Sequence, residues 1–597
     1  MTPTRQTKRT ALIVGVSSLA LVLLTITLVS TNSWAAYAAG HTTRISGTNN
    51  TPGTQIPADG PWVVRAYFSD PEMVANLAER IEPWEVNQEL GYVVLHADAA
   101  EVLWLEALGL RVEVDDQLTA QSSRAFSPLP GQTSGIPGYP CYRTLTETYA
   151  TMVSLAAEFP LLVNVIDIGD SWEKTDSASQ TGYDLLVLKL TNVQTNQAKP
   201  KLFMMASMHP RELAPAELAT RFAEYLATNY GMDADITWLL DYTEIHLLLQ
   251  ANPDGRLKAE SGLSWRKNTN NNYCTDTNSR GADLNRNFPF QWGCCGGSSS
   301  IVCDELYRGP SPSSEPETQA IQTYLQTLYT DFREESLDTA APITTTGILL
   351  DLHSHGELVL WPWGFTPSPA PNHAALETLG RKLAFFNGYT PQQAMQLYPT
   401  DGSTIDFAYG ELGIAAYTFE LGSTFFQDCS DFESAIVPEN LPAFVYSAKT
   451  TSAPYLLPYG PDVISITLAQ STTIHVGTIQ ITATLDDTRY NAENGTLPED
   501  TISAGELYFD TPPGSAQASP IPVPLLPGDG EFDSAVEVAT GALDTHDVSA
   551  GKHILYLRGQ DSRGNWGPLS AKFIQILPQT RPPKEIFFPL LISNHIP

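Results

Sequence analysis

The sequence predicts a large α/β domain with a small α+β unit before it and an all-β unit after it. Three observations carry that prediction. Between Cys141 and Leu456, runs such as KLFMMAS, TEIHLLLQAN and TGILLDLHS stay apolar throughout, as strands buried on both faces do, and they alternate with helix-like segments. Residues 61–116 interleave short β-like and α-like segments. Residues 462–577 change to period-two alternation broken by Gly, Pro, Asn and Asp, the pattern of a sandwich of about seven strands. A chain of 597 residues has room for about three or four domains.

Taken in order, Arg5, Lys8 and Arg9 precede an apolar run from Ala11 to Val29 and the small-residue site Ala36-Tyr37-Ala38. Residues 1–38 therefore read as a secretory signal, with a secreted, extracellular chain as the consequence. The run is also near the length of a membrane span, so an uncleaved anchor stays open as the alternative. In the 61–116 unit, WVVRAYF, GYVVLHA and LRVEVD read as strands. DPEMVANLAERI and DAAEVLWLEALG read as helices, with Asp70 as cap and Pro71 in the first position of the first one. The order β-α-β-α-β fits a small open-faced sandwich. Residues 117–138, rich in Ser, Pro and Gly and containing Arg124, read as an exposed linker.

The α/β domain, residues 139–456, opens with the helix TLTETYATMVSLAAEF. It continues through strands VNVIDIG, DLLVLKL and KLFMMAS, helix ELAPAELATRFAEYLATNY, and strands TEIHLLLQAN and TGILLDLHS. Helix HAALETLGRKLAFFNG and strand AAYTFEL follow. Irregular stretches at about 252–316 and 389–410 interrupt it, and long ordered loops in such folds are usually functional. Residues 578–597 form a Pro-rich spacer and a short apolar tail, too short to span a bilayer.

Charge narrows the function classes. Thirty-three basic against 66 acidic residues leave a formal charge of −33, which excludes a binder of nucleic-acid backbones. Cys274, Cys294, Cys295 and Cys303 crowd one irregular stretch without the paired C-x₂-C spacing of a structural zinc site. With the export signal they are expected to form disulfide staples there. Cys141 and Cys429 are a further candidate pair, and the connectivity is not readable from sequence.

The chemistry collects at strand ends. His209 and Glu212 follow KLFMMAS at the start of a helix, where residues three apart face the same way and can share a metal. Alone, that spacing fits a loop histidine equally well. His353 and Glu420 close two other buried runs. Carboxyl ends of strands are where open α/β sheets bind ligands. Two imidazoles and one carboxylate leave an open position for water, as catalytic zinc requires. A further carboxylate nearby can take the water's proton, although a buried glutamate also suits an ion pair. Between these points, SWRKN supplies Arg266 and DLNRNF supplies Asp283, Asn285 and Arg286, donors suited to a carboxylate and an oxyanion.

At this point the motifs HPRE, NPDG, WRKN, DLNRNF, WGCCGG, YRGPSPSSEPE, DLHSHGELVLWPWGF, NGYTPQQ, LYPTDGSTIDFAYG and TFELG can be set side by side. Over about 137–455 they resemble the zinc carboxypeptidases of the funnelin type, peptidase family M14, in particular the secreted bacterial carboxypeptidase T type. The resemblance implies a mixed central sheet with helices on both faces and one zinc ion. It implies that His209, Glu212 and His353 bind the metal and that Glu420 is the general base. It also implies that Arg266 stabilises the oxyanion, that Asn285 and Arg286 hold the terminal carboxylate, and that Tyr398 closes over the substrate from a mobile loop. Arg211 matches a secondary substrate-binding arginine, and Asp283 matches the carboxylate that orients the first histidine.

Ser403 and Ile405 stand where an acid would select basic residues, so apolar or aromatic C-terminal residues are the expected preference. His355 replaces a tyrosine common in the family and is expected to serve a subsite at most; His246 and His373 are expected to be ordinary packing or surface residues. The 61–116 unit resembles the prodomains that cover such sites, and the sandwich resembles immunoglobulin-like or fibronectin-like modules. That module is expected to space the enzyme or to touch a surface or polymer. Calcium is not readable from the sequence. The expected partners are peptides or proteins with a free C-terminal carboxylate. Two rivals stand beside this reading: a cell-wall peptide carboxypeptidase of the same superfamily, and an adhesin built on an inactive hydrolase fold.

Overall fold

The computed structural model describes residues 60–578 apart from 123–125, 177–180, 335, 471, 475–476 and 516–519. The segment expected to be a signal, Arg124 and the residues from 579 onward lie outside the described residues.

The first unit has four antiparallel strands, β1 (Trp62–Tyr67), β2 (Glu85–Asn87), β3 (Tyr92–Ala97) and β4 (Arg111–Val114), in the order β2-β3-β1-β4. Helices α1 (Glu72–Leu77) and α2 (Ala99–Ala107) share one core with them through Val74, Leu77, Val102 and Leu105. Helix α2 begins at a capping box in which Asp98 accepts from Glu101 N and Glu101 answers to Asp98 N. Two expectations change here. The short strand β2 makes the order β-α-β-β-α-β; three residues cannot show a period. Pro71 sits at the cap position itself, while the Asp70 carboxylate accepts from Glu72 N at 3.0 Å. The expected linker also opens on a helix, Asp116–Ser122, docked on β1 by a Val63 N to Thr119 Oγ1 bond of 2.8 Å.

The central sheet contains eight strands: β5 (Val163–Asp170), β6 (Asp184–Leu190), β7 (Lys201–Ala206), β8 (Glu244–Leu248), β9 (Ile348–His353), β10 (Leu358–Trp361), β11 (Thr390–Gln393) and β12 (Ala415–Glu420). Their order is β11-β10-β12-β9-β7-β8-β6-β5. The pairs β12/β9, β9/β7, β7/β8 and β10/β11 are parallel, while β10/β12, β8/β6 and β6/β5 are antiparallel, so the sheet is mixed. Every residue of β9 is buried, and so are five of six in β7 and β12, as their continuous apolar runs require. Helices α3 (Leu145–Glu158), α4 (Leu213–Asn229), α5 (Ala234–Tyr242), α6 (His373–Asn387), α7 (Thr404–Leu412) and α8 (Val437–Thr450) supply the rest of its core.

All six cysteines pair. Cys141–Cys429 spans 288 residues, Cys274–Cys303 staples the long irregular segment, and Cys294–Cys295 closes on itself within that segment.

The last unit has two sheets around one core. The first holds β13 (Asp462–Leu468), β15 (Thr478–Asp486), β18 (Leu526–Pro527) and β19 (Val536–Asp544). The second holds β14 (Thr472–Ile474), β16 (Ile502–Phe509), β17 (Val523–Pro524), β20 (Gly551–Asp561) and β21 (Ser570–Leu577). Nine strands replace the expected seven because β14, β17 and β18 are too short to leave an alternation. Ile479, Ile481 and Leu485 of one sheet meet Leu555, Leu557 and Ile574 of the other. The unit is also welded to the central domain: Tyr508 and Tyr556 belong to the main core, and the Tyr556 ring meets Trp238 of α5 edge-on.

Candidate active site

Three strand ends build the site. After β7 the chain passes through His209, Pro210 and Arg211 to Glu212, which occupies the cap position of α4. His353 ends β9 and Glu420 ends β12, and the two are register partners on neighbouring parallel strands. His209, Glu212 and His353 are all buried, and each offers one ligand atom within 4.8 Å of the other two. The Glu212 carboxylate lies 2.8 Å from His209 Nδ1 through Oε1 and 3.0 Å from His353 Nδ1 through Oε2. Burial raises the Glu212 pKa, but the two imidazoles outweigh it and hold the carboxyl well below its ordinary range.

The donor set fits zinc. Two imidazole nitrogens and a carboxylate oxygen converge, and the far ring nitrogen of each histidine meets an acid. His209 Nε2 is 3.1 Å from Asp283 Oδ1, and His353 Nε2 is 3.0 Å from Asp351 Oδ2.

Around this cluster lies a cavity of about 50 Å³ lined by Glu82, Arg266, Asn285, Arg286, Tyr398, Ser403, Ile405 and Glu420, among others. That is room for a few waters, not for a peptide end. Burial pushes the Glu420 carboxyl up to about 8 while His353 pulls it down. Arg266 donates from Nε to Asp283 Oδ2 at 2.8 Å. Burial works against its charge, but Asp283 and then Glu82 outweigh that and hold its proton well above the ordinary range. Burial likewise pushes Asp283 up, and Arg266 followed by His209 hold it well below.

Asn285 bridges the cluster and the pocket wall. Its Nδ2 is 3.1 Å from His353 Nε2, and its Oδ1 accepts from Thr404 N at 2.9 Å. Arg286 donates from Nε to Gly297 O and from Nη1 to Asn285 O, both at 2.8 Å. Its Nη2 is buried and has no hydrogen-bond partner among the described residues. The turn at Gly402, φ +64°, brings the segment carrying Ser403 against Arg286; a Cβ there would lie 2.5 Å from Arg286 O. Ser403 caps α7 and Ile405 sits in its first turn.

Every sequence-predicted site residue except Asp283 and Arg211 borders the cavity; Asp283 lies behind His209, and Arg211 lies beside Glu82. His355 stays outside the ligand cluster: it packs half-buried and edge-on against Phe425, and desolvation there brings its pKa down to about 4. His246 is a packed core residue 2.8 Å from the Tyr324 hydroxyl, and His373 begins α6.

The N-terminal unit contributes a residue that no sequence pattern marked. Glu82 is buried, with one carboxylate oxygen accepting from Arg266 Nη1 and the other from Arg211 Nη2. Arg211 also donates to Glu305 at 2.7 Å, Arg80 pairs with Asp304, and Trp84 packs edge-on to Phe425. Tyr398 is counted in the core of this same unit.

Comparison with known proteins agrees with this geometry. The family model for zinc carboxypeptidases matches residues 148–440. A zinc carboxypeptidase of Saccharothrix mutabilis subsp. capreolus is 32% identical over 335 residues, covering 53% of this chain and 71% of that protein. Carboxypeptidase A1 of Rattus norvegicus is 30% identical over 347 residues, covering 56% and 73%. In fold, the chain matches the crystal structure of carboxypeptidase A from Helicoverpa armigera with a TM-score of 0.52 at 24% identity, over 66% of this chain and 98% of that one. Two relatives at this identity, each matched over more than two-thirds of its length, together with the family match show that the chain belongs to the zinc carboxypeptidase family, as a metallocarboxypeptidase acting on peptides or proteins.

Proposed function

We propose that the enzyme removes single residues from the C-terminus of peptides, and that the N-terminal unit holds it closed until that unit is displaced. The observation that carries the first half is the unpartnered Nη2 of Arg286. A buried guanidinium N–H without a partner is costly, and a substrate's terminal carboxylate in the cavity relieves that cost. A chain interior brings no carboxylate and leaves the group unpaired, which supports exo-cleavage.

His209, Glu212 and His353 would hold zinc, which when bound supplies Lewis acidity toward water and the scissile carbonyl. Glu420 then acts as the base. It takes a proton from the attacking water and passes it to the nitrogen of the departing residue as the C–N bond breaks. Arg266, held by Asp283, faces the oxygen on which negative charge develops. Asn285 and Arg286 fix the terminal carboxylate, and Tyr398 covers the bound end. The walls formed by Leu360, Ser403 and Ile405 carry no charge, which supports an apolar or aromatic terminal residue.

Glu82 supports the second half of the proposal. Its carboxylate occupies Arg266 and Arg211, the arginines a substrate would need. Export from the cell and contact of the last unit with a surface or polymer are further parts of this reading, drawn from the sequence.

The test is mass spectrometry of peptide ladders, with trypsin-treated and then trypsin-inhibited enzyme, with and without a chelator. The expected result is stepwise loss of terminal residues, faster for Phe and Leu than for Lys, absent on amidated peptides and abolished by the chelator. Internal cleavage, or equal attack on amidated ends, contradicts exo-cleavage; faster release of Lys contradicts the side-chain preference.

A further inference from the structure

A second aspartate sits at the metal cluster, and its position follows from strand geometry. Residues two apart on a strand share a face, so Asp351 and His353 of β9 point the same way. The parallel register sets Thr418 beside Asp351 and Glu420 beside His353, and the antiparallel register sets Leu360 beside Thr418. One row of the sheet therefore carries the metal ligand and the candidate base, and the next row carries Leu360, Thr418 and Asp351 on the same face. Leu360, Thr418, His353 and Glu420 all line the cavity.

Asp351 is fully buried inside a strand with no exposed residue, where an acid is costly without a purpose. Its Oδ2 faces two groups, His353 Nε2 at 3.0 Å and the Thr404 hydroxyl, which donates to it. Its Oδ1 has no hydrogen-bond partner among the described residues. Thr404 is itself fixed, since its backbone N–H donates to Asn285 Oδ1 at 2.9 Å.

The chemistry of His353 Nε2 decides what this arrangement does. Two neighbours compete for that nitrogen: the Asp351 carboxylate, which can only accept, and the Asn285 amide nitrogen at 3.1 Å, which can only donate. Donation from Asn285 requires a lone pair on Nε2 and puts the ring proton on Nδ1, the atom aimed at Glu212. Acceptance by Asp351 requires the proton on Nε2 and leaves the Nδ1 lone pair free toward the cluster. A bond to a carboxylate is roughly twice as strong as one between neutral groups, so the Asp351 arrangement prevails.

We propose that Asp351 is a positioning residue for the metal site: seated by Thr404, it fixes the tautomer and ring plane of His353 as Asp283 does for His209, so that each metal-facing imidazole has its own aspartate. The proposal rests on the zinc reading of the cluster. Outer partners of this kind are worth about 10–100-fold in metal affinity.

The test measures zinc affinity directly, by competition with a chromophoric chelator, for the wild-type chain, Asp351→Asn, Asp283→Asn and the double variant; thermal unfolding of each zinc-free protein checks the fold. Each single variant is expected to bind zinc about 10–100-fold more weakly with the zinc-free melting point little changed. The double variant is expected to bind zinc more weakly than either single variant, since the aspartates act on different ligands. At saturating zinc, Asp351→Asn should lower kcat and leave KM near the wild-type value. Wild-type zinc affinity in a folded Asp351→Asn overturns the proposal. If that variant does not fold, Thr404→Val, which removes only the hydroxyl donor, takes its place: weaker zinc binding supports the proposal and unchanged binding overturns it. A wild-type chain that binds no zinc fails on the metal reading itself, a distinct result.

Discussion

Glu420 and Arg286 border one cavity, but their loss should be felt at different steps. Glu420→Gln keeps the shape and removes the proposed proton acceptor. General-base catalysis contributes roughly 10²–10⁴-fold, so kcat should fall by about that factor while KM and zinc content stay near wild type. Arg286→Ala removes the unpartnered N–H proposed to meet the terminal carboxylate. Truncating one side of a buried charged pair costs about 2–5 kcal/mol, so kcat/KM should drop by at least tenfold, mostly through KM. Preference for free-acid over amidated peptides should shrink with it. Steady-state kinetics on a matched pair of peptides separates the two cases. A Glu420→Gln enzyme with wild-type kcat would remove Glu420 from the chemistry, and unchanged KM in Arg286→Ala would remove Arg286 from the clamp.

At the scale of elements, the proposed latch is the segment from α1 to β2. Arg80, Glu82 and Trp84 lie on alternate positions and each meets the α/β domain: Arg80 at Asp304, Glu82 at Arg211 and Arg266, Trp84 at Phe425. Removing only the central carboxylate should loosen the latch without dissolving the unit, whose own core lies elsewhere. The intact Glu82→Ala chain is therefore expected to exceed the intact wild type in kcat/KM by about tenfold or more, equivalent to 1.4 kcal/mol of lost competition. After trypsin treatment the two should be equal. Equal activity of the intact and trypsin-treated wild type would rule the latch out. This element also marks where sequence reading ends. His209, Glu212, His353 and Glu420 could be found because each signal is local: a spacing of three at a helix start, or a polar residue closing an apolar run. Asp351 carried a local signal too, an acid two residues before His353 in a fully buried strand, and alternation alone could have exposed it. Glu82 had none, since the arginines it meets are 129 and 184 residues away.

Across the whole molecule, the packing of the last strands on the central domain could not be read from the sequence. Alternation in the last unit reports only its inner faces and is silent about what its edges meet. Those edges meet the central domain. Lys449 reaches both Asp235 and Ser570, and Asp235 also accepts from Ala571 N at 2.7 Å. Lys382 of α6 reaches Gly460 O and Asp462, and Arg381 donates to the carbonyls of Asn491, Glu493 and Gly495. Tyr556 is buried and joins the main core. A module that merely spaced the enzyme would need none of this, and a chain cut before Asp462 would take the Asp462 carboxylate from Lys382 and the Ser570 hydroxyl from Lys449. The two units should then unfold together. Calorimetry of the zinc-loaded protein is expected to show one transition spanning both. Tyr556→Ala should lower it, since truncating a large buried aromatic costs about 3–5 kcal/mol, and should bring down near-ultraviolet signals from both units in step. Two well-separated transitions, with Tyr556→Ala moving only one, would mean that the last unit is a tethered passenger after all.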